Sequence, residues 1–115
     1  MRTTQLRAET TEALRHKKAE LLATMPDLGV VLRGSLIERF LRCGKPNCKC
    51  ARGRGHGPKR YLSISHPKGR PEMLYVPKDW CEPVRQSLRE FAAVRETLDQ
   101  LCAINAELIR RREEL

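Results

Sequence analysis

Aromatic side chains are scarce in this chain of 115 residues, which has one Trp, two Tyr and two Phe. The core of so short a chain must then be built mainly from Leu, Ile and Val, and a core of that size is only marginally stable by itself. We therefore expect a bound metal ion or a second subunit to contribute to stability.

Long apolar segments are absent as well. No stretch of roughly 18 apolar residues occurs, so we expect neither a membrane-spanning helix nor a membrane partner. The first residues lack the apolar segment of a signal peptide. We therefore expect a cytoplasmic protein. Cysteines stay reduced in the cytoplasm, which favours metal ligation over disulfide bonds.

Acidic residues are almost missing from the middle of the chain. Residues 33–78, called the basic segment below, contain 12 Lys or Arg against two acids, Glu38 and Glu72, for a net charge of +10. The whole chain has a net charge of +9, and both of its ends mix the two signs. A concentrated field of one sign suits a polyanion, so the basic segment predicts nucleic-acid binding. Solubility alone is the competing interpretation.

The basic segment also contains a cluster of metal-ligating residue types. Four of them fall within 14 residues in the spacing C-x4-C-x-C-x5-H: Cys43, Cys48, Cys50 and His56. Three thiolates and one imidazole form a known structural set for tetrahedral Zn²⁺, and the nearby Lys and Arg lower thiol pKa values, which favours metal binding. The pattern predicts one structural Zn²⁺ per chain.

The exact ligand set stays open at the level of sequence. The Cys-x-Cys spacing is tighter than the usual Cys-x2-Cys, so Cys48 and Cys50 need not both be ligands, and His66 could replace His56. Cys81 and Cys102 have no ligand-type neighbours in the chain. On the C-terminal helix predicted below, Cys102 is expected to act as a small apolar residue.

Basic side chains around this cluster are the candidate phosphate contacts, and glycines between them allow close approach of the backbone. The candidates for nucleic-acid binding are Arg39, Arg42, Lys45, Asn47, Lys49, Arg52, Arg54, Lys59, Arg60, Lys68 and Arg70. Of these, Lys45 and Asn47 at the tip of the cysteine segment, and Lys68 and Arg70 in a predicted hairpin loop, are placed to reach base edges.

The apolar pattern predicts an α+β fold in three segments that form one structural domain: 1–29, 30–80 and 81–115. The first holds a helix over 4–25 that ends before Pro26. The second begins with a strand over 30–43, with a short helix at 35–42 as the alternative, and continues with a β-hairpin formed by 60–65 and 72–76. The third is a helix from about residue 82 or 83 to Leu115.

The C-terminal helix has an a/d heptad pattern with one polar residue, a device that fixes register in coiled coils. The predicted oligomerisation residues are Phe91, Val94, Leu98, Leu101, Asn105 and Leu108. The same stripe could instead pack against the first helix, whose Leu14, Leu21 and Leu28 are also seven residues apart. We favour pairing of the two helices within the chain together with homodimerisation.

Several strings in this order resemble a family of short bacterial proteins known only as a domain of unknown function. They are Arg33-Gly-Ser-Leu-Ile-Glu-Arg39, Cys43-Gly-Lys-Pro-Asn-Cys48-Lys-Cys50, Gly53-Arg-Gly-His-Gly-Pro58, Tyr61-Leu-Ser63 and Tyr75-Val-Pro77. The resemblance implies a zinc knuckle at Cys43, Cys48, Cys50 and His56 and frequent association with mobile genetic elements, but it implies no activity. Family members tend to have aromatic residues where this chain has Lys59-Arg60, which argues against a stacking platform there and for phosphate contacts.

Catalysis is not expected from this site. Four protein ligands would close a zinc site to substrate, and Glu38 is the nearest carboxylate that could act as a base. We predict a zinc-stabilised nucleic-acid-binding accessory protein, with DNA preferred over RNA on the basis of the resemblance alone. The competing hypothesis is a protein–protein adaptor that recruits a larger enzyme, such as a recombinase or transposase, through its helices.

Overall fold

The computed structural model describes residues 3–42, 44–47, 49, 53 and 55–115. Its elements are α1 (Thr3–Ala8), α2 (Thr11–Ala23), β1 (Ser35–Leu41), β2 (His56–Ile64), β3 (Glu72–Val76) and α3 (Cys81–Arg110). One-turn 3-10 helices occur at Leu28–Val30 and Lys78–Trp80. This order confirms the predicted α+β class, with N-terminal helices, a small antiparallel sheet and a long C-terminal helix.

The N-terminal segment contains two helices where the sequence predicted one over 4–25. The break falls at Glu9 and Thr10, between α1 and α2. The Thr10 hydroxyl oxygen accepts a hydrogen bond from the Ala13 backbone N–H at 3.0 Å, as an N-cap residue does. Thr10 thus begins a new helix in the middle of an apolar pattern that is continuous in sequence.

Beyond α2 the chain turns before Pro26. Thr24 caps α2, and both its backbone N–H and its hydroxyl donate to the Glu20 carbonyl, at 3.0 and 2.9 Å. The Asp27 side chain accepts from the Gly29 N–H at 2.9 Å. These contacts confirm the predicted end of the helix before Pro26.

The sheet has three antiparallel strands in the order β1-β2-β3. The predicted hairpin is present as β2 and β3, and the segment for which a helix was the alternative is strand β1. Gly34, just before β1, has φ +142°, and a Cβ there would lie 2.7 Å from the Ser63 carbonyl oxygen. Only glycine permits this close approach of the two backbones.

Helix α3 begins directly after a 3-10 turn and ends at Arg110, five residues before the predicted end. Glu82 lies in the first turn of α3. The guanidinium groups of Arg89 and Arg85 donate hydrogen bonds to its carboxylate and hold the pKa of that carboxyl below its usual value. At the other end of α3, Arg112 has φ +58° and terminates the helix. Arg112 therefore lies outside the helix.

The chain forms two compact units, Met1–Val30 with Glu90–Leu115 and Val31–Arg89. The buried core of the first unit consists of Leu6, Leu14, Ile104 and Leu108, so the predicted packing of α3 on the N-terminal helices is present. The buried core of the second unit consists of Leu62, Val76 and Cys81, with Leu36, Ile64, Val84 and Leu88 packed against it. In the second unit the start of α3 therefore covers one face of the sheet.

Among the described residues, no helix is both long enough and apolar enough to cross a membrane.

Candidate nucleic-acid interface

The cysteine-rich part of the basic segment connects β1 to β2, and the two strands bring its ends together. Leu41 pairs with His56, and the register shifts between Arg39 and Leu41 through a bulge or irregularity. Gly55 has φ +100°, and a Cβ there would lie 2.5 Å from the Leu41 carbonyl carbon, so the backbones can approach only because residue 55 is glycine.

Arg42 forms hydrogen bonds across this connection. Its guanidinium donates two hydrogen bonds to the Gly53 carbonyl oxygen, from Nε at 3.2 Å and from Nη2 at 3.1 Å. A charged donor that satisfies a loop carbonyl in this way fixes the path of the backbone. Arg42, predicted as a phosphate contact, thus contributes to the conformation of the connection.

Three of the four predicted zinc ligands, Cys43, Cys48 and Cys50, lie outside the described residues. His56 is described and is exposed at the first position of β2. Within the described part of the chain, no group of three or more His, Cys, Asp or Glu side chains could hold a metal ion.

His66, the alternative fourth ligand, lies beyond the other end of β2. Its Nε2 is 3.3 Å from Oε2 of Glu72, the first residue of β3. From His56 to Ile64 the strand rises by about 26 Å, at roughly 3.3 Å per residue. His66 therefore lies beyond the opposite end of β2 from His56, the residue that pairs with Leu41.

The two faces of the sheet differ in character, as the pleat and the register require. One face packs against α3 through Leu36, Leu62 and Val76. The opposite face, called the open face below, carries Ser35, Ile37, Arg39, Lys59, Tyr61, Ser63, Met73 and Tyr75, none of which is buried. Tyr61 and Tyr75 are cross-strand partners on this face, with ring centroids 5.8 Å apart in an edge-to-face arrangement.

Arg39 and Lys59 are direct cross-strand partners on the open face, and both are exposed. In the described part of the chain neither side chain forms an ion pair with an acid. Like charges directly opposite each other on neighbouring strands repel and destabilise the sheet. On the helix-packed face the next pair, Glu38 and Arg60, has opposite charges and an N–O distance of 3.0 Å.

The other predicted basic contacts fall into three groups. Lys45, Asn47 and Lys49 are exposed in the described part of the β1–β2 connection, and Arg52 and Arg54 lie outside the described residues. Lys68 and Arg70 are exposed in the β2–β3 loop. Arg60 is half-buried and paired with Glu38, so its charge is already balanced within the chain. The aromatic pair Tyr61 and Tyr75 was absent from the predicted site, although the strand alternation around it places both on the face of Lys59.

The predicted oligomerisation residues divide into two sets. Val94, Leu101 and Leu108, at d positions, are buried within the chain. Leu98, at an a position, is 50% exposed, and Phe91 and Asn105 are partly exposed. Ile104, which the a/d pattern omitted, is fully buried beside Leu108. The intramolecular contact thus uses the d positions together with Ile104.

A protein-family model matches residues 9–86 of the chain. The chain belongs to the family described as a domain of unknown function, DUF6788. The matched region contains β1, β2, β3 and the whole connection with the predicted zinc ligands. Neither the search of curated proteins nor the search of solved structures gave a match. The family membership agrees with the resemblance noted from the sequence and carries no activity with it.

Proposed function

We propose that this DUF6788 protein is a zinc-stabilised nucleic-acid-binding accessory protein that contacts phosphates through its basic segment. The observation that carries the proposal is the exposed pair of Arg39 and Lys59, adjacent on two strands with no acidic partner among the described residues. A phosphate placed between the two side chains would turn this repulsion into attraction. Stability alone favours an opposite-charge pair at such a position, as at Glu38 and Arg60.

The net charge supports the same function. The 12 Lys and Arg of the basic segment are offset by only two acids, and each acid is engaged with a basic or titratable neighbour: Glu38 with Arg60, and Glu72 with His66. The exposed Lys45, Lys49, Lys68 and Arg70 then add to the field of the Arg39–Lys59 pair. Such contacts supply affinity that depends on salt and carry little sequence information.

A zinc ion held by Cys43, Cys48, Cys50 and His56 is the second part of the proposal. The pairing of Leu41 with His56, and the hydrogen bonds from Arg42 to Gly53, support it because they close the connection that contains the cysteines. The length of β2 favours His56 over His66 as the fourth ligand, because His66 lies beyond the opposite end of the strand from Leu41. Thiolate ligands require a reducing compartment, so we place the protein in the cytoplasm.

The proposed role is binding and not catalysis. Three thiolates and one imidazole would complete a tetrahedral zinc shell and leave no position for a substrate. We propose DNA as the nucleic acid in preference to RNA, and a link to mobile genetic elements. Both of these proposals rest on the family resemblance alone.

A second candidate, assembly through α3, has its own observation. Leu98 and Ile109 are 50% and 53% exposed, and the exposed Cys102 lies between them. Together with the partly exposed Asn105 they are spaced four, three and four residues apart, which places them along one side of the helix. We propose that this stripe forms a homodimer, and a larger recombination or transposition protein is the alternative partner.

A salt titration tests the proposed function. Zinc-loaded protein is titrated into fluorescently labelled single-stranded DNA and duplex DNA at several ionic strengths, with and without a zinc chelator. We expect binding that weakens steeply with salt, through release of counterions, and that is largely lost after chelation. Absence of binding at low salt would reject nucleic-acid binding and leave the adaptor hypothesis. Binding that survives complete removal of zinc would reject the structural role of the metal.

A further inference from the structure

The open face combines the exposed ring of Tyr75 and the partly exposed ring of Tyr61 with the Arg39–Lys59 pair, which has no acidic partner among the described residues. Tyr75 is 58% exposed, and Tyr61 lies beside it on β2. Lys59 is two residues before Tyr61 on the same face of β2, about 6.6 Å along the strand at roughly 3.3 Å per residue. A stacked base and its own phosphate can therefore be contacted at the same time by the tyrosine row and by the Arg39–Lys59 pair.

We propose that the open face binds unpaired bases of a single-stranded nucleic acid, with Tyr75 as the principal stacking residue. This inference rests on the proposed function and names the form of nucleic acid that the site takes. Tyr61 lies edge-to-face against Tyr75 and holds it in place, and Arg39 and Lys59 contact the phosphate of the stacked nucleotide. Ile37 and Met73, both partly exposed, supply the apolar flanks.

Single strands and duplexes differ in the base surfaces that they offer to the open face. In a duplex the flat faces of the bases are covered by their neighbours, so aromatic side chains on a sheet surface cannot stack on them. Unpaired bases expose both faces, and stacking on aromatic side chains tolerates any base. A surface of Lys and Arg alone would serve a duplex equally well. Stacking on the rings of Tyr75 and Tyr61 is the contact that the bases of a duplex cannot make.

An apolar groove beside the open face offers a competing location for a ligand. It lies at the β3 edge of the second unit and is lined in part by Leu74, Tyr75, Trp80 and Val84. Trp80 is 64% exposed in the 3-10 turn after β3 and does not belong to the sheet. A ligand in the groove would depend on both Tyr75 and Trp80, whereas a base on the open face depends on Tyr75 and not on Trp80.

The test compares four full-length proteins: the unchanged chain, Tyr75→Ala, Tyr75→Phe and Trp80→Ala. Each is titrated by fluorescence anisotropy into a short single-stranded DNA and into the same strand annealed to its complement, at one salt concentration. We expect Tyr75→Ala to weaken single-strand binding by about 5- to 140-fold, the range for loss of one stacked base. Duplex binding should change much less, Tyr75→Phe should bind like the unchanged chain, and so should Trp80→Ala.

Three results would overturn the inference. Tyr75→Ala could leave single-strand binding unchanged, it could weaken both forms of DNA equally, or Trp80→Ala could weaken binding as much as Tyr75→Ala does. In any of these cases a steep salt dependence of the unchanged chain would still support the proposed function. If the unchanged chain binds neither form at low salt, the proposed function itself fails.

A photochemical crosslink provides a readout that does not depend on the fold of a variant. A single strand containing 5-bromouracil is irradiated in complex with the unchanged protein, and the modified peptides are identified by mass spectrometry. Adducts on the peptide that contains Tyr75 or the peptide that contains Tyr61 are expected. Adducts confined to peptides outside β2 and β3 would contradict the proposed position of the bases.

Discussion

Arg111 holds the end of α1 by donating a hydrogen bond of 2.7 Å to the backbone carbonyl of Glu9, 102 positions earlier in the chain. Its guanidinium also donates to the carbonyl oxygens of Leu6 and Arg7 and to the Thr11 hydroxyl. The last carbonyls of a helix have no partner within the helix, so a charged side chain that satisfies them stabilises the helix end. Arg111 thus joins α1 to the residues that follow α3.

Loss of this side chain should destabilise the first unit. Arg111→Ala removes several charge-assisted hydrogen bonds and one of the two arginines near the buried Glu107, so we expect a loss of about 2–4 kcal/mol. Chemical denaturation measures the change. Arg110→Ala is the matched control, because Arg110 is about half exposed and lies 3.9 Å from the same carboxylate. Equal losses from the two variants would show that the carbonyl contacts contribute nothing.

Substitution of Arg112 should have the opposite effect and raise the stability of the protein. Its φ of +58° lies in the left-handed region, and the N–H groups of Arg112 and Glu113 donate back to the carbonyls of Ile109 and Leu108. Glycine is the favoured residue at such a helix end. Arg112→Gly should therefore stabilise the protein by about 1 kcal/mol in thermal or chemical unfolding. Arg112→Ala, which removes the side chain but keeps the Cβ, should give no such gain, and an equal gain would contradict the backbone explanation.

The plan of the fold was predictable because each element has a strong periodic signal and clear boundaries. Alternating residues predicted β2 and β3, and the proline-bounded loop between them predicted the hairpin. The break before α2 was missed because it depends on one side chain. The Thr10 hydroxyl caps a new helix there, although the apolar pattern continues across the break. Ile104 was missed because the a/d pattern alone does not say which side of α3 meets α1 and α2.

The candidate site was predictable in composition but not in arrangement. The sequence identified the charge of the basic segment and the cysteine cluster. That Arg39 is opposite Lys59 follows from the β1–β2 register and its bulge, which involve residues 20 positions apart. The aromatic pair of Tyr61 and Tyr75 depends in the same way on the β2–β3 register. Long-range pairing of this kind is not encoded in any local pattern.

The identity of the fourth zinc ligand can be tested by two histidine variants. His56→Asn should lower the zinc content of purified protein, whereas His66→Asn should leave one zinc ion per chain, because His66 lies beyond the opposite end of β2 from Leu41. Elemental analysis measures both. The double variant Cys48→Ser, Cys50→Ser should abolish zinc binding. Full zinc content in His56→Asn together with loss in His66→Asn would reverse the assignment.

The exposed side of α3 can be tested separately from its buried side. Leu98→Glu places a charge on the half-exposed stripe, so it should convert a dimer to a monomer while the helical content is kept. Leu101→Glu and Leu108→Glu should unfold the protein, since both side chains are buried within the chain. Light scattering and circular dichroism distinguish these outcomes. Glu96→Lys, about 160° away from Leu98 around the helix, is the control and should keep the oligomeric state.

A wild-type protein that is monomeric at micromolar concentration would reject the homodimer. The heptad residues would then serve only the packing of α3 within its own chain.

Variants of Arg39 and Lys59 test directly whether these two side chains contact the phosphates of a nucleic acid. Arg39→Gln and Lys59→Gln are each titrated against the same DNA across a range of salt concentrations, and their unfolding free energies are measured in parallel. Each change should weaken binding and reduce the slope of log affinity against log salt by about 1. Each should also leave stability unchanged or raise it by roughly 0.2–1 kcal/mol, because repulsion between neighbouring strands is relieved. Lys17→Gln and Arg95→Gln, exposed residues outside the basic segment, should keep the wild-type slope. Reduced affinity and slope with undiminished stability is the predicted result, and a slope that stays the same, or falls equally in the control variants, would contradict the account.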